Sequence, residues 1–237
     1  MEFKTLIKNS YVPYSGTAKV CVVRSTEGQY FPGVRVENIS YPLSISRIQS
    51  ALFSCLASGS RPEAIIFPDE PGREELSTYW KQEYDISFEI NPELNFDTPD
   101  ILIKEKLDDK AIFNRLSLLC ELAVTPNSDF QVSALLEVEG GFVPGVNVEC
   151  SNWELGLCAE RVAISRAVSI GHRSFGNMYV MAPKSDYVSP CGACRQVLME
   201  HLPASRIVLH QNDNQTMSVT TLQLLPYHFG GEVLKKN

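Results

Sequence analysis

Cys158, Glu160, Cys191 and Cys194 stand in two short patterns, Leu-Cys-Ala-Glu-Arg at 157–161 and Pro-Cys-Gly-Ala-Cys-Arg-Gln at 190–196. Three thiolates suit a tetrahedral zinc and leave it one open position, which a catalytic zinc has and a structural zinc lacks. A water held there loses a proton near neutral pH. Glu160 lies two residues past Cys158, so it can face the same pocket without binding metal and pass protons. A structural zinc or a redox Cys-x-x-Cys is the alternative, and a solvent-facing helix acid is the alternative for Glu160. A structural zinc needs a fourth close ligand, and neither His172 nor His201 has metal-motif spacing.

These residues need helix starts to hold them. Cys158 opens a helix expected over 157–170, and Cys191 and Cys194 open one expected over 192–201, just after Pro190. Helix N-termini carry partial positive charge and free N–H groups, which lower thiol pKa values. A zinc with three thiolates sums to a negative charge, so this compensation matters.

The elements around them recur. Pro-Gly-Val-Arg-Val-Glu at 32–37 repeats as Pro-Gly-Val-Asn-Val-Glu at 144–149, an offset of 112 residues. Strands expected at 20–24 and 30–36 match strands at 132–138 and 142–148, and a helix at 44–58 matches that at 157–170. A strand (64–67; 178–181) and a short helix (74–82; 192–201) follow in each copy, and the second continues with a strand at 206–210 and a short helix at 220–225. Residues 91–105, rich in Pro, Asn and Asp, read as a linker, and an amphipathic helix at 107–122 opens the second copy. The reading is two domains, 1–100 and 106–237. Strands alternating with helices imply layered α/β domains. The first copy has lost the chemistry: Ser46, Ile48, Ser77 and Trp80 stand where the second has Cys158, Glu160, Cys191 and Cys194. It is expected to bind no zinc.

Composition narrows the function. The 237 residues are 44% apolar and 21% charged, with a net charge of −7. No Lys/Arg cluster offers the basic patch that nucleic-acid binding needs, so a small neutral substrate is favoured over a polymer. No apolar run approaches a membrane span. The N-terminus lacks a long apolar core after a basic start, so a secretory signal is not expected and a reducing, cytoplasmic setting is. Cys21, Cys55 and Cys120 sit in apolar runs and read as buried structural thiols.

Residues 126–229 resemble the cytidine deaminase family of free-nucleoside enzymes. The matching blocks are Pro-Asn-Ser-Asp-Phe (126–130), Val-Pro-Gly-Val-Asn-Val-Glu (143–149), the two zinc patterns, and Leu-Leu-Pro-Tyr-His-Phe-Gly (224–230). Zinc deaminases are known for three such ligands and a non-ligand glutamate as proton shuttle. The resemblance implies three-layer α/β/α domains, each around a mixed sheet of about five strands. It implies hydrolytic deamination of cytidine and deoxycytidine to uridine and deoxyuridine, with one zinc per chain in the second domain only. It gives Asn147 and Glu149 the ribose 3′-hydroxyl, the backbone amide of Ala159 the base carbonyl, and Phe130 the base pocket. Phe229 would reach a neighbouring subunit's pocket, and Arg161 would hydrogen-bond a ligand thiolate. Plain core packing is the alternative for Phe130 and Phe229, and a surface position for Glu149 and Arg161.

The family's Pro-Tyr-Ser and Tyr-Pro-Leu are missing from the second copy but present in the first, around Tyr14 and Tyr41. Both tyrosines are therefore candidates to complete a pocket across an interface, with simple packing as the alternative. The expected assembly is a homodimer whose four domains imitate the tetramer of single-domain relatives, with no nucleic-acid or membrane partner. A deaminase of another aminopyrimidine nucleoside, such as an antibiotic, and a non-catalytic nucleoside-binding protein are the rival readings.

Overall fold

The computed structural model describes residues 1–211, 215–230 and 234. Two sheets organise them, one in each half of the chain. The first has strands β1 (Val20–Ser25), β2 (Tyr30–Val34), β3 (Pro62–Phe67) and β4 (Ser87–Ile90) in the order β2-β1-β3-β4. β1 is antiparallel to both β2 and β3, and β4 is parallel to β3. The second sheet repeats this with β5 (Ser133–Val138), β6 (Gly141–Val146), β7 (Phe175–Met181) and β8 (Arg206–His210), and adds β9 (Thr216–Thr220) antiparallel to β8. The mixed α/β architecture expected from the sequence is present, with four strands in one sheet and five in the other.

The helices are α1 (Phe3–Ile7), α2 (Arg47–Leu56), α3 (Ser77–Tyr84), α4 (Asp109–Cys120), α5 (Ala159–Ser169), α6 (Gly192–His201) and α7 (Thr221–Leu224). Successive strand residues face opposite sides of a sheet. Val20 to Val23 in β1 and Ala134 to Leu136 in β5 are all buried, so each sheet is covered on both faces. In the first half α1 and α2 pack on β1, and in the second α4 and α5 pack on β5.

The repeated Pro-Gly-Val has a steric cause. A Cβ on Gly33 would lie 2.4 Å from the Arg47 carbonyl oxygen, and one on Gly145 would lie 2.4 Å from that of Ala159. Only glycine lets the strand approach the first turn of α2 or α5 this closely. That contact fixes where the helix starts, and hence where Ser46 and Cys158 stand as N-caps.

Three elements escaped the sequence reading: α1, β4 and β9. The expected linker is also more than a tether. Phe96 is buried, with its ring 5.9 Å from that of Phe3 and 6.1 Å from that of Tyr30. Ile103 exchanges backbone hydrogen bonds of 2.9 and 3.0 Å with Phe142 on the edge of β6. The two halves meet mainly through α2 and α5, where the Ser50 and Ser169 hydroxyls lie 3.0 Å apart. Among the described residues no helix is long and apolar enough to cross a membrane.

Candidate active site

Two helix starts bring the three cysteines together. Cys158 is the N-cap of α5 and Cys191 that of α6, with Cys194 in the first turn of α6. Their Sγ atoms all lie within 4.8 Å of one another, and those of Cys158 and Cys191 are 3.7 Å apart. Zinc–sulfur bonds of about 2.3 Å in a tetrahedron set sulfurs about 3.8 Å apart, so the Cys158–Cys191 pair already has zinc spacing and Cys194 lies within about an ångström of it. Among the described residues this is the only cluster of metal-ligand side chains. Hydrogen bonds from the Cys158 and Cys194 thiols push the Cys191 thiol far down, helped by the amides of Cys194 and Ala193. Donation to Cys191 in turn raises Cys158. Cys191 is thus the group most readily held as thiolate, at a helix N-terminus that favours negative charge.

Glu160 sits in the first turn of α5 and is almost fully buried. Burial first, and the nearby Cys191 second, push its carboxyl up to about 7. A carboxyl poised there can both take and give a proton near neutral pH.

A cavity of about 470 Å³ opens onto Cys158, Glu160 and Cys191. That size suits a small-molecule ligand. Val180, Ala182 and Val188 supply apolar wall, while Asn147 and Glu149 supply polar wall. Asn147 and Glu149 also build their own support. The Asn147 amide accepts from the Val132 N–H at 2.8 Å and donates to the Phe130 carbonyl at 2.8 Å. The Glu149 carboxylate accepts from the Asn127 and Ser128 amides at 3.0 and 3.1 Å, and from the Ser128 hydroxyl. Phe130, Trp153 and Tyr187 stand exposed on the lining.

Other sequence candidates fall elsewhere. Ala159 is buried beneath Gly145 and is not among the lining residues. Arg161 turns toward the first domain, donating from Nη2 to the Leu43 carbonyl at 3.0 Å, and its Nε is buried without a hydrogen-bond partner. Phe229 is exposed outside the cavity, with its carbonyl accepting from Gln196 Nε2 at 3.3 Å. Tyr41 is 85% exposed. Tyr14 donates to Glu200 near the end of α6 at 2.6 Å, on the far side of that helix from its cysteines. Within one chain, neither Tyr14 nor Tyr41 lines the cavity.

Two supports went unread in the sequence. Arg195 donates from Nε to the Pro190 carbonyl at 2.9 Å and from Nη2 to the Ser189 hydroxyl at 2.9 Å, bracing the loop into Cys191. Its place next to Cys194 was a usable signal. The loop at 150–152 is held by the first domain's α3, a contact between residues about 70 positions apart with no local pattern to mark it.

At the corresponding place in the first domain, Ser46 caps α2 in a reciprocal box with Gln49. Arg47 is fully buried and pairs with Glu75 at 2.7 and 2.8 Å and with Asp69 at 2.6 Å. Its guanidinium lies 4.8 Å from the centre of the Phe67 ring, and Trp80 is buried on α3.

Comparison with known proteins finds one family in both halves of the chain. The family model for the cytidine and deoxycytidylate deaminase zinc-binding region matches residues 107–211, and a second model of the same description matches residues 4–66. The chain is 40% identical over 114 residues to the cytidine deaminase of Halalkalibacterium halodurans, covering 47% of this chain and 86% of that protein. It is 43% identical over 116 residues to the cytidine deaminase of Sporosarcina psychrophila, covering 48% of this chain and 85% of that protein. Among solved structures, the cytidine deaminase from Burkholderia pseudomallei is 32% identical with a TM-score of 0.49, covering 52% of this chain and 100% of that one.

Proposed function

The chain belongs to the cytidine deaminase family, and on that premise we propose that it hydrolyses the exocyclic amine of cytidine and deoxycytidine, giving uridine and deoxyuridine with release of ammonia. The observation that carries the reading is one cavity lined by Cys158, Cys191 and Glu160 and, within the same walls, by Asn147 and Glu149. Cys158, Cys191 and Cys194 would hold a single zinc, in the second domain only. Bound zinc would supply a water of lowered pKa.

The protein's own side chains do the rest. Glu160 takes the proton of the attacking water and hands it to ring N3. Once the water oxygen is bonded to C4, Glu160 takes the remaining proton from that hydroxyl and delivers it to the amine; the C4–N bond breaks, ammonia leaves and C4–O becomes the carbonyl. Its burial excludes bulk water as a competing base. The Asn147 amide and the Glu149 carboxylate suit ribose hydroxyls, and their bonds to residues 127–132 fix them before substrate arrives. Phe130 offers the base an aromatic face.

We place the domain division at 1–100 and 106–237 and the enzyme in the cytoplasm as a homodimer. The exposed side chains of Trp153, Tyr187, Tyr41 and Phe229 support a second copy as cover. In that assembly Tyr14, Tyr41 and Phe229 are the residues for the neighbouring pocket, Ala159 offers its backbone amide to the base, and Arg161 offsets thiolate charge.

An ultraviolet assay over cytidine, deoxycytidine, their monophosphates and blasticidin tests the reading, with Glu160→Ala as control. The expected result is turnover of the two free nucleosides, abolished in the variant. No nucleoside turnover by zinc-replete protein would refute it.

A further inference from the structure

The degenerate domain keeps one helix pressed against the wall of the other domain's cavity. That helix is α3, the counterpart of α6, with Ser77 and Trp80 where α6 has Cys191 and Cys194. Its side chains reach across to three consecutive residues of the second domain. Glu83 accepts from the Ser151 N–H at 2.7 Å and from the Ser151 hydroxyl. The Tyr79 hydroxyl accepts from the Asn152 N–H at 3.2 Å and lies 3.4 Å from the Ser151 hydroxyl. The Tyr84 hydroxyl lies 3.5 Å from Cys150 Sγ.

Residues 150–152 touch no substrate site themselves, yet they join two that do. Glu149 precedes them, Trp153 follows them, and both line the cavity. Within its own domain this stretch is held as far as the Glu149 N–H on the Val124 carbonyl, 2.8 Å, and the Cys150 carbonyl accepting from Asn127; past that point the two consecutive amides of Ser151 and Asn152 are bonded to the first domain's helix.

We propose that Glu83, supported by Tyr79 and Tyr84, is a positioning residue for substrate binding: it anchors residues 150–152 so that Glu149 and Trp153 stand ready for the nucleoside. This rests on the deaminase reading. Binding that must first order a loop loses affinity by the cost of ordering it. The zinc cysteines and Glu160 belong to α5 and α6, which carry none of these bonds, so the anchor acts on affinity and not on the chemical step.

The reciprocal bond supports a built device. Glu200 on α6 accepts from the Ile39 N–H at 2.8 Å and from the Tyr11 and Tyr14 hydroxyls at 3.0 and 2.6 Å. Ile39 and Ser151 are equivalent positions of the repeat. The equivalent helices α3 and α6 therefore each hold the other domain's loop, and among the described residues the bond from Glu83 is the one that reaches a loop bordering a cavity with metal-ligand residues.

The test is steady-state kinetics on cytidine, zinc content, and hydrogen exchange at Ser151 and Asn152, on the full chain. Glu83→Ala should raise KM about tenfold, the worth of a charge-assisted hydrogen bond. It should leave kcat within about twofold, the signature of lost uniform binding, with zinc per chain unchanged and faster exchange at both amides. Glu83→Gln keeps an acceptor and should recover most of the affinity. An active wild type with unchanged KM or unchanged exchange in Glu83→Ala overturns the inference alone, as does a parallel loss of kcat and zinc. A wild type with no turnover of any nucleoside sinks the deaminase reading and takes this inference with it.

Discussion

The two domains share a four-strand plan and differ most at the two helix starts that carry the three thiols. Each has the Pro-Gly-Val strand under its central helix. Each has a glutamate clamping a Ser loop: Glu37 accepts from the Tyr14 and Ser15 amides at 3.0 Å each, as Glu149 does from Asn127 and Ser128. Even the contacts between them obey the repeat. Gln49 Nε2 donates to the Leu155 carbonyl at 2.9 Å and Arg161 Nη2 to the Leu43 carbonyl at 3.0 Å, and these two bonds exchange when positions are shifted by 112. At those helix starts the likeness ends. The second domain keeps three thiols, a buried acid and an open cavity. The first has a buried Arg47–Glu75 pair right after the N-cap of its central helix, and a buried Trp80 at the sequence position of Cys194.

This contrast is open to attack at several points. The largest effect belongs to Glu160. Glu160→Gln should lower kcat by up to about 10⁴-fold, the range of general acid–base catalysis, whereas Ile48→Val at the equivalent place should leave kcat within about twofold, on steady-state kinetics. Equal losses would show that both halves share the chemistry.

Next comes the Arg47–Glu75 pair. Arg47→Met leaves the buried Glu75 carboxylate only the Gly72 N–H at 3.1 Å and the longer contact to Lys19 at 3.6 Å, and should cost up to about 3–5 kcal/mol in urea unfolding. The double variant Arg47→Met with Glu75→Leu should regain most of it, because apolar side chains replace a buried pair well. A single and a double variant of equal stability would mean the pair does not stabilise the first domain as a unit.

A smaller effect should appear in acid. Burial works to raise the Glu37 carboxyl, but hydrogen bonds from Ser15 and Tyr14 and the charge of Arg35 outweigh it and hold the group below its usual 4.5. Its stabilisation is therefore complete above that value and is lost as pH falls through the lower folded value. Thermal melts of Glu37→Gln between pH 3 and 6 should show a shallower acid loss than wild type; an identical slope would contradict the assignment.

Much of this was legible in the sequence, and the exceptions share a cause. The repeat, the central strands and helices and the thiol trio follow local pattern: a period of two or of 3.6, and ligand spacing. β4 was missed because Ser-Phe-Glu-Ile is short and half-buried, so it carries little pattern. Arg47 resembles a surface residue at a helix start until Asp69 and Glu75 meet it from 22 and 28 positions away. Tyr14 and Tyr41 drew attention because they match a motif, yet within one chain the bonds to the cavity loop come from Tyr79 and Glu83, which match none. Contacts across a domain boundary leave no local trace.

Zinc per chain, by elemental analysis of metal-replete protein and of Cys191→Ser, tests the division of labour most directly. The account predicts one zinc in the wild type and none in the variant. Two zincs per wild-type chain, or one retained after Cys191→Ser, would contradict it.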